Sequence, residues 1–430
     1  MGIDGREAGC SMRRSLACLL ALGCACGDDE APIVGDDGST TASTGDTGAS
    51  STDSTGSSEA GSSSTGEMAD ESTGDEPTCG NGRVDPGELC LDEPVHIAVG
   101  LAPADLAFAD FDGDGSIDIV TANVGSNDHT VLLGDGQGGF TTAATLLAGL
   151  GPRGVDAGDV DGDGWPDIAS ANEQTHYVAL FRSQGDGTFA NQMPLGAATR
   201  PRSLRLGDLA GNGAVDIVVV CQESEDVLVL TGDGRGAFAP AVSHPVGASP
   251  FDVALVDLDE DGALDAIVAN EAENTLSILW GDGAGLFEPE ERVVVGAGPR
   301  SVVVADVDGD GLLDLVAASF ETQIISVVTG QGGRELSAYS PLPVGKGPYA
   351  MQVADMNADG RPDLVVVHRD TAEVSVLLGV EDGLFEFAAT VGVGLNPLSL
   401  GVADLNEDGA PDVVVTSAMA NVISVIMSRP

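Results

Sequence analysis

An aspartate-rich loop of nine residues recurs seven times along the chain and is the clearest candidate for chemistry in the sequence. Its first copy reads Asp110-Phe-Asp112-Gly-Asp114-Gly-Ser-Ile-Asp118, which puts carboxylates at positions 1, 3, 5 and 9. A glycine at position 6 permits a tight turn, so the four side chains can converge on one hard cation. Ca²⁺ accepts about six to eight oxygens, and a backbone carbonyl at position 7 would help to complete the set. Without a cation these acids would repel one another, so we expect metal binding rather than turn capping alone.

The seven copies differ in the oxygen atoms that they offer. Four copies are fully acidic, and their predicted ligands are Asp110, Asp112, Asp114, Asp118, Asp159, Asp161, Asp163, Asp167, Asp257, Asp259, Asp261, Asp265, Asp306, Asp308, Asp310 and Asp314. The sixth and seventh copies have Asn at position 3, and their predicted ligands are Asp355, Asn357, Asp359, Asp363, Asp404, Asn406, Asp408 and Asp412. The third copy keeps only Asp208 and Asp216 as carboxylates. We therefore expect about six calcium sites and a weak or empty third loop.

The spacing of these loops predicts the architecture that positions them. The first Asp of each copy follows the previous one by 49 residues, and a Pro stands seven positions before each of them. Each unit contains four short apolar runs joined by Gly- and Asp-rich turns, without helical periodicity. An all-β, seven-bladed β-propeller of four-stranded blades is therefore predicted. The last unit ends before its fourth run, and we expect the N-terminal segment Val95–Gly100 to supply that strand and close the ring.

The repeated loop resembles that of the FG-GAP and VCBS repeat families, whose members include the integrin α-subunit propeller and many bacterial surface proteins. The resemblance covers residues 93–430. It implies that the loop lies in a hairpin on one face of the propeller and binds Ca²⁺ structurally through the residues given above. It says little about a ligand, because enzymes, lectins and adhesion proteins all use this scaffold.

The N-terminal part of the chain divides into three segments. Residues 1–26 have Arg13 and Arg14, a short apolar stretch and small residues, which is typical of a secretory signal peptide. The ending at Cys24 resembles a bacterial lipobox, with Cys26 as a second candidate for the lipidated residue. This predicts a lipid-anchored outer-membrane or cell-surface protein, with a secreted protein as the alternative. Residues 27–78 are rich in Ser, Thr, Gly and Asp and contain no Lys or Arg, so a disordered linker is predicted. Cys79 and Cys90 bracket a turn-rich motif within 79–92 and are expected to form a local disulfide.

The charge of the chain excludes one class of partner. The formal net charge is −52, with 17 Lys and Arg against 69 Asp and Glu. Nucleic acid is therefore not an expected partner, because its phosphates require a basic surface. A membrane is expected to be contacted only through the lipid anchor, because no apolar run of about 20 residues is present. The sequence contains no Gly-x-Ser-x-Gly, His-Glu-x-x-His or phosphate-loop motif, so no catalytic residue is predicted, although single residues on different blades could still assemble a catalytic site.

The few basic residues gather near the recurrent Pro, on the face that strand order places opposite the Asp loops. Arg153, Arg202 and Arg300 directly follow that Pro, and Phe251 and Tyr349 occupy the same position in other units. His368 is expected on the same face with the polar residues Asn123, Asn172, Asn270 and Ser319. Such a ring could bind an anionic or glycan ligand through bidentate and stacking contacts. The alternative is that these arginines pair with nearby acids such as Glu173 and Glu271.

These features together predict an exported, calcium-binding propeller that serves as a binding or adhesion module. Its expected partner is an extracellular glycan or protein, and the protein itself is expected to be a monomer. A secreted, lyase-like enzyme acting on polysaccharide is one alternative, and a purely structural envelope protein is another.

Overall fold

The computed structural model describes residues 89–197, 199–380, 383 and 385–429. The predicted signal peptide, the linker, Cys24 and Cys79 lie outside these residues, and what was predicted for them stays a prediction. Cys90 is buried and disulfide-bonded. No helix within the described ranges is long and apolar enough to cross a membrane.

Thirty β-strands make up the regular structure of the described residues. In chain order they are β1 (Cys90–Leu91), β2 (Val95–Ala98), β3 (Pro103–Ala109), β4 (Asp118–Asn123), β5 (Asp128–Gly134), β6 (Phe140–Leu147), β7 (Pro152–Gly158), β8 (Asp167–Asn172), β9 (Tyr177–Phe181), β10 (Met193–Ala197), β11 (Pro201–Gly207), β12 (Asp216–Cys221), β13 (Asp226–Leu230), β14 (Val242–Pro245), β15 (Pro250–Val256), β16 (Asp265–Asn270), β17 (Thr275–Leu279), β18 (Glu291–Val294), β19 (Pro299–Ala305), β20 (Asp314–Ser319), β21 (Ile324–Val328), β22 (Ser340–Pro343), β23 (Pro348–Ala354), β24 (Asp363–His368), β25 (Glu373–Gly379), β26 (Phe385–Gly392), β27 (Pro397–Ala403), β28 (Asp412–Ser417), β29 (Val422–Ile426) and β30 (Ser428–Arg429).

Seven antiparallel four-stranded sheets form the blades of a ring. Blades one to six consist of β3–β6, β7–β10, β11–β14, β15–β18, β19–β22 and β23–β26, and blade seven has the order β2-β29-β28-β27. The first strands of consecutive blades contact one another around a closed circle, in which β27 returns to β3. The predicted seven-bladed propeller is therefore confirmed.

The strand pattern follows from the sequence of each repeat. Every first strand begins at the recurrent Pro, a residue that sheets tolerate at the start of a strand because it has no N–H to donate. The second strand is buried along its whole length in all seven blades and is rich in Val, Ile, Leu and Ala. Its apolar side chains pack between neighbouring sheets, so the hydrophobic core is distributed between the blades.

The ring is closed by the N-terminal strand, as predicted. β2 pairs with β29 in register from Val95 with Val425 to Ala98 with Val422, and it completes blade seven. A second pair, β1 with β30, was not predicted, and an ion pair of 2.6 Å joins Arg429 to Asp92 beside it. Strands from both ends of the chain thus cover sheet edges that would otherwise be open.

Candidate metal loops and a cationic mouth

An Asp loop joins the first and second strands of each blade, and hydrogen bonds from its own backbone N–H groups to its first Asp side chain hold its shape. We call these seven loops the metal loops and number them by blade. In the first loop, Asp110 accepts hydrogen bonds from the N–H groups of Gly113 (2.7 Å) and Gly115 (3.0 Å). The bond from the glycine at position 6 recurs in all seven loops at 2.6–3.0 Å. Gly115 has a φ of 92°, a left-handed conformation that explains the glycine at this position.

The aspartate at position 9 ties each metal loop to the rest of its blade. Asp118 is fully buried and accepts bonds from the N–H groups of Phe111 (2.7 Å) and Gly134 (2.8 Å). Burial raises the pKa of the Asp118 carboxyl to about 6. Both bonds recur in every blade, including the third, where Asp216 accepts from Leu209 and Gly232. Position 9 therefore has a structural role even where the other acids are missing.

Four of the metal loops bring three carboxylates close enough to hold one metal ion. In these loops one oxygen of each acid at positions 1, 3 and 9 lies within 4.8 Å of the others. The four triads are Asp110, Asp112 and Asp118; Asp159, Asp161 and Asp167; Asp257, Asp259 and Asp265; and Asp306, Asp308 and Asp314. The position-5 acids Asp114, Asp163, Asp261 and Asp310 are not in these triads; each accepts a bond from the N–H two residues further on.

One carboxylate oxygen in the second metal loop has no hydrogen-bond donor among the described residues, and it indicates whether a cation would fit there. Asp161 Oδ1 is buried and has no hydrogen-bond partner in the described part of the chain. A buried carboxylate oxygen without a partner is costly, and a hard cation would satisfy it. The residues present therefore suit an ion that prefers oxygen ligands.

The remaining loops keep the backbone frame with fewer charges. In the sixth and seventh loops, the amides of Asn357 and Asn406 donate to Asp359 (3.2 Å) and Asp408 (3.1 Å). In the third loop, Asp208 accepts bonds from Asn212 and Gly213, and no acidic triad forms. These three loops thus share the fold of the others without their concentration of carboxylates.

An arginine from the next blade reaches the fourth loop. Arg334 donates to Asp259 (2.7 Å) and Glu288 (2.7 Å) and lies over the Trp280 ring at 4.7 Å. A guanidinium group therefore already contacts one acid of this triad. Elsewhere, Arg361 pairs with Asp359 of the sixth loop at 2.6 Å.

On the opposite face, a backbone irregularity directs the residue after each recurrent Pro. Pairing between the first and second strands shifts register between the Pro and the residue two positions on, in every blade. The intervening residue thus has no partner on the second strand, as in a β-bulge, a feature that re-aims side chains. In chain order these residues are Ala104, Arg153, Arg202, Phe251, Arg300, Tyr349 and Leu398.

Six of these bulged residues, all except Ala104, line a cavity of about 440 Å³, which we call the mouth. Five of the six predicted ligand-face residues are in its lining: Arg153, Arg202, Phe251, Arg300 and Tyr349. The sixth, His368, is absent from the lining; it is 3% exposed, and its Nε2 has no partner among the described residues. Asn123, Asn172, Asn270 and Ser319 are fully buried and do not line the mouth either.

The mouth arginines differ in their partners. Arg153 pairs with Glu173 at 2.8 Å, and Arg300 pairs with Glu271 at 2.5 Å, so the alternative that these arginines bind nearby acids holds for both. Arg202 makes no ion pair with a described carboxylate. Its guanidinium lies 3.4 Å from the centre of the Phe251 ring and donates to Tyr349 Oη at 3.3 Å. Burial lowers the pKa of Arg202 to about 10, which leaves the group charged at neutral pH.

The aromatic residues support the arginines rather than face the opening. Phe251 and Tyr349 are 9% and 6% exposed, and their rings meet edge to face at 5.6 Å. Arg300 lies over Phe320 at 3.9 Å, which adds a third ring to the cluster. The rings therefore hold guanidinium groups in place through cation–π contacts and offer little surface for stacking by a ligand.

Sequence reasoning missed a second set of mouth residues, which lie one position beyond the amides that it selected. Val124, Glu271, Arg369 and Ala418 stand 14 positions after the first Asp of their units and line the mouth. The preceding position is the last residue of the buried second strand, whereas this one begins the exposed turn. The rule that successive strand residues face opposite ways could have indicated the shift.

A smaller cavity of about 100 Å³ shares Arg153, Arg202 and Arg300 with the mouth and extends between the inner strands to three further charged residues, Asp105, Arg205 and Asp252. Asp105 accepts bonds from Val155 N–H (3.0 Å) and Ser399 Oγ (2.8 Å), in the two neighbouring blades. Burial raises the pKa of Asp105 to about 6. Arg205 lies 3.4 Å from Asp252. This inner region is thus richer in acids than the mouth.

Fold and loops together define a seven-bladed β-propeller with acidic loops on one face and a cationic mouth on the other. The sequence matches the FG-GAP-like repeat family over residues 110–170, 159–219, 208–268, 257–317 and 355–415, more than half of the chain. The chain therefore belongs to the FG-GAP-like repeat family.

Solved structures share the fold at low sequence identity. One is BBS1N in complex with ARL6DN, with a TM-score of 0.57, 14% identity, and coverage of 78% of this chain and 98% of that one. Another is hydrazine synthase of Kuenenia stuttgartiensis, with a TM-score of 0.55, 15% identity, and coverage of 77% of this chain and 97% of that one. A third is an Agrocybe aegerita lectin specific for non-reducing terminal N-acetylglucosamine, with a TM-score of 0.50, 19% identity, and coverage of 79% of this chain and 85% of that one. No curated protein sequence matches this chain.

Proposed function

We propose that this protein is a calcium-stabilised propeller that acts as a binding module outside the cell and takes its ligand at the mouth. The observation that carries the proposal is Arg202, a charged side chain held in a cavity without a carboxylate partner among the described residues. Arg202 is half-buried, and a charged group in a cleft without a paired carboxylate is a candidate binding group.

Calcium is the proposed ion for the metal loops because all their side-chain donors are oxygen atoms. The four acidic triads, together with the sixth and seventh loops, would give six sites. The third loop lacks the oxygens at position 3 and is not proposed to bind. In this role calcium would stabilise the loops between strands, at a distance from the mouth.

A binding role is preferred to the lyase-like alternative because of what surrounds the mouth. His368, a candidate base for such an enzyme, is buried outside the lining. The shared fold does not decide the question, since its relatives include both a lectin and an enzyme. Product release from acidic polysaccharides, lost on Tyr349→Phe substitution, would favour the enzyme instead.

The proposed location rests on the sequence pattern of residues 1–26. A lipid anchor at Cys24 would hold the propeller at the outer membrane or cell surface through the linker at 27–78. Cells fed a labelled fatty acid should incorporate it into the wild-type protein and not into a Cys24→Ser variant. Label retained by that variant would exclude Cys24 as the anchor.

The binding role is tested with a panel of surface glycans and extracellular proteins, presented to the immobilised protein with calcium or with EGTA. We expect at least one ligand to bind in calcium, with weaker binding in EGTA because the unliganded loops loosen the scaffold. Absence of binding to every member in calcium, by a protein shown to be folded, would favour the structural envelope role.

A further inference from the structure

We propose that the mouth binds the carboxylate of an acidic sugar at the end of a glycan, with Arg202 as its anchoring residue. This inference rests on the proposed function, because it names the ligand class of the same site. It is carried by the unpaired donors of Arg202, by the charge around them and by the dimensions of the cavity.

Arg202 has the donors that a carboxylate requires. A guanidinium group carries five N–H donors in a rigid fork that matches a carboxylate in bidentate geometry. Within the described residues one nitrogen of Arg202 donates to Tyr349 Oη, and no carboxylate pairs with the group. Stacking on Phe251 at 3.4 Å fixes the plane of the fork. Because the group is already ordered, little conformational entropy remains to be lost when an anion binds.

The charge of the mouth favours an anion and limits its size. Four arginines line the cavity, and among the described residues only Arg153 and Arg300 of these four are paired with carboxylates, which leaves an excess of positive charge. The fourth, Arg369, donates to the side-chain oxygen of Asn396 at 2.7 Å. The whole chain has a net charge of −52, so its remaining surface repels polyanions. A ligand with a single terminal carboxylate is therefore favoured over a long polyanion lying across the surface.

The surrounding polar groups favour a sugar as the source of the carboxylate. Glu271 can accept and the Asn396 amide can donate a hydrogen bond at the rim, which suits hydroxyl groups that do both. Deeper between the inner strands, Asp105 and Asp252 would repel a carboxylate and so keep it at the level of Arg202. A volume of about 440 Å³ lies within the range of small-ligand sites and admits an end group rather than a folded surface.

The test is calorimetric titration of the full chain, saturated with calcium, with an oligosaccharide that ends in glucuronic acid. The matched ligand is the same oligosaccharide ending in glucose, and a peptide with a free C-terminal carboxylate is a third arm. The variants are Arg202→Gln and Arg202→Lys. The matched control is Arg235→Gln, which removes an exposed arginine from a turn between the third and fourth strands of its blade.

We expect the glucuronic acid ligand to bind and the glucose ligand to bind at least about tenfold more weakly. Arg202→Gln should weaken binding by about 10- to 100-fold, Arg202→Lys by less because it keeps the charge, and Arg235→Gln should have no effect. The melting temperature of each variant in calcium establishes that it is folded. If the Arg202→Gln variant is unfolded, the Arg202→Lys variant tests the role of Arg202 instead. Competition by free glucuronate against the oligosaccharide then tests whether the carboxylate is recognised.

Two results would overturn the inference: equal binding of the acidic and neutral sugars, or unchanged affinity in a folded Arg202→Gln variant. Tighter binding of the peptide than of the uronate would overturn the sugar assignment. The proposed function is judged separately by the panel: it survives if another ligand binds in calcium while the uronate fails. It fails together with the inference only if nothing binds.

Discussion

Two arginines on opposite faces of the propeller have opposite relations to carboxylates. Arg334 contacts Asp259 and Glu288 beside the fourth metal loop, whereas Arg202 in the mouth has an aromatic ring and a phenol as neighbours. The first guanidinium would compete with the proposed metal ion for its acid, and the second has no carboxylate partner among the described residues. The same residue type therefore serves two roles that only the three-dimensional contacts distinguish.

Removing Arg334 should strengthen cation binding at the fourth loop. In an Arg334→Gln variant, Asp259 loses a guanidinium at 2.7 Å and can turn both oxygens to the ion. We expect affinity for Tb³⁺, read by luminescence sensitised through Trp280, to rise about 3- to 10-fold. Arg235→Gln is the charge-matched control, and Trp280→Phe identifies the signal of this loop. Unchanged or weaker affinity would contradict competition by Arg334.

Asp105 gives a pH dependence to stability. Burial raises the pKa of this group to about 6, whereas the pKa of an unfolded Asp is about 3.9. The folded state binds the proton more tightly, so the contribution of Asp105 to stability falls as the pH rises from about 4 through 6. An Asp105→Asn variant should therefore gain about 1 kcal/mol relative to the wild type between pH 5 and pH 8, measured by urea unfolding in calcium. A stability difference that does not vary with pH would rule out this account.

For single residues, the sequence predicted which side chains meet in the mouth better than it predicted how exposed each of them is. The arginines and aromatic residues after the recurrent Pro do meet in one cavity. The sequence could not show that Phe251 and Tyr349 would be covered, because the covering groups come from other blades: Arg202 is 147 residues from Tyr349 along the chain. Contacts between side chains so far apart leave no trace in local spacing.

The metal loop is the element in which sequence and structure agree most closely. Its glycine at position 6 and its acids at positions 1, 3 and 9 have the conformations and convergence that the spacing implies. The structure adds that position 9 supports the fold independently, since Asp216 makes both of its backbone bonds in a loop without a triad. Position 3 has no such second role in the first loop, where Asp112 accepts one long bond of 3.2 Å.

These two positions should respond differently to calcium. Asp216→Asn replaces an acceptor that faces two buried N–H groups, and we expect a loss of about 1–3 kcal/mol in the free energy of unfolding, in EGTA and in calcium alike. Asp112→Asn should leave stability in EGTA unchanged and reduce the stabilisation that calcium adds. Urea unfolding under both conditions measures the two effects. Equal losses by Asp112→Asn in both conditions would mean that its role is structural.

The bulge after each Pro could not be predicted from the repeat. An inner strand of seven residues pairs with a second strand of six, and the register shift absorbs the extra residue. Neither the Pro nor the residue types at the bulge distinguish this arrangement from a regular ladder. The bulge matters for the candidate site, because the bulged position holds Arg202 and five other residues that line the mouth.

At the scale of the whole molecule, the propeller depends on contacts between its first and last blades. β2 adds to blade seven, and Asp105 of blade one accepts a bond from Ser399 of blade seven. The missing fourth strand of the last repeat made the first of these predictable. The second β-pair, between β1 and β30, joins two-residue strands that carry no pattern, which explains why it was missed.

Removal of the closing strand should open the ring. A chain beginning at Ala102 lacks β2 and exposes the edge of β29, so we expect a lower melting temperature and self-association. A chain beginning at Glu93 lacks β1 and the residues before it but keeps β2, and it should remain folded and monomeric. Size-exclusion chromatography with light scattering and thermal melting compare the two. A monomeric, equally stable shorter chain would show that the closure contributes nothing.

The formal net charge of the whole molecule is −52, and calcium bound at the proposed sites would offset part of it. Each triad concentrates three carboxylates within 4.8 Å, and a bound cation would offset their repulsion. Calcium that binds the folded state alone stabilises it by mass action.

Thermal unfolding of the EGTA-treated protein, repeated as calcium is returned, is therefore the most direct test of calcium binding by the metal loops. We expect a melting temperature that rises steadily with free calcium and falls back when EGTA is added again. A magnesium titration at the same concentrations serves as the control for ionic strength and should give a smaller rise. A melting temperature that does not respond to calcium would contradict the account.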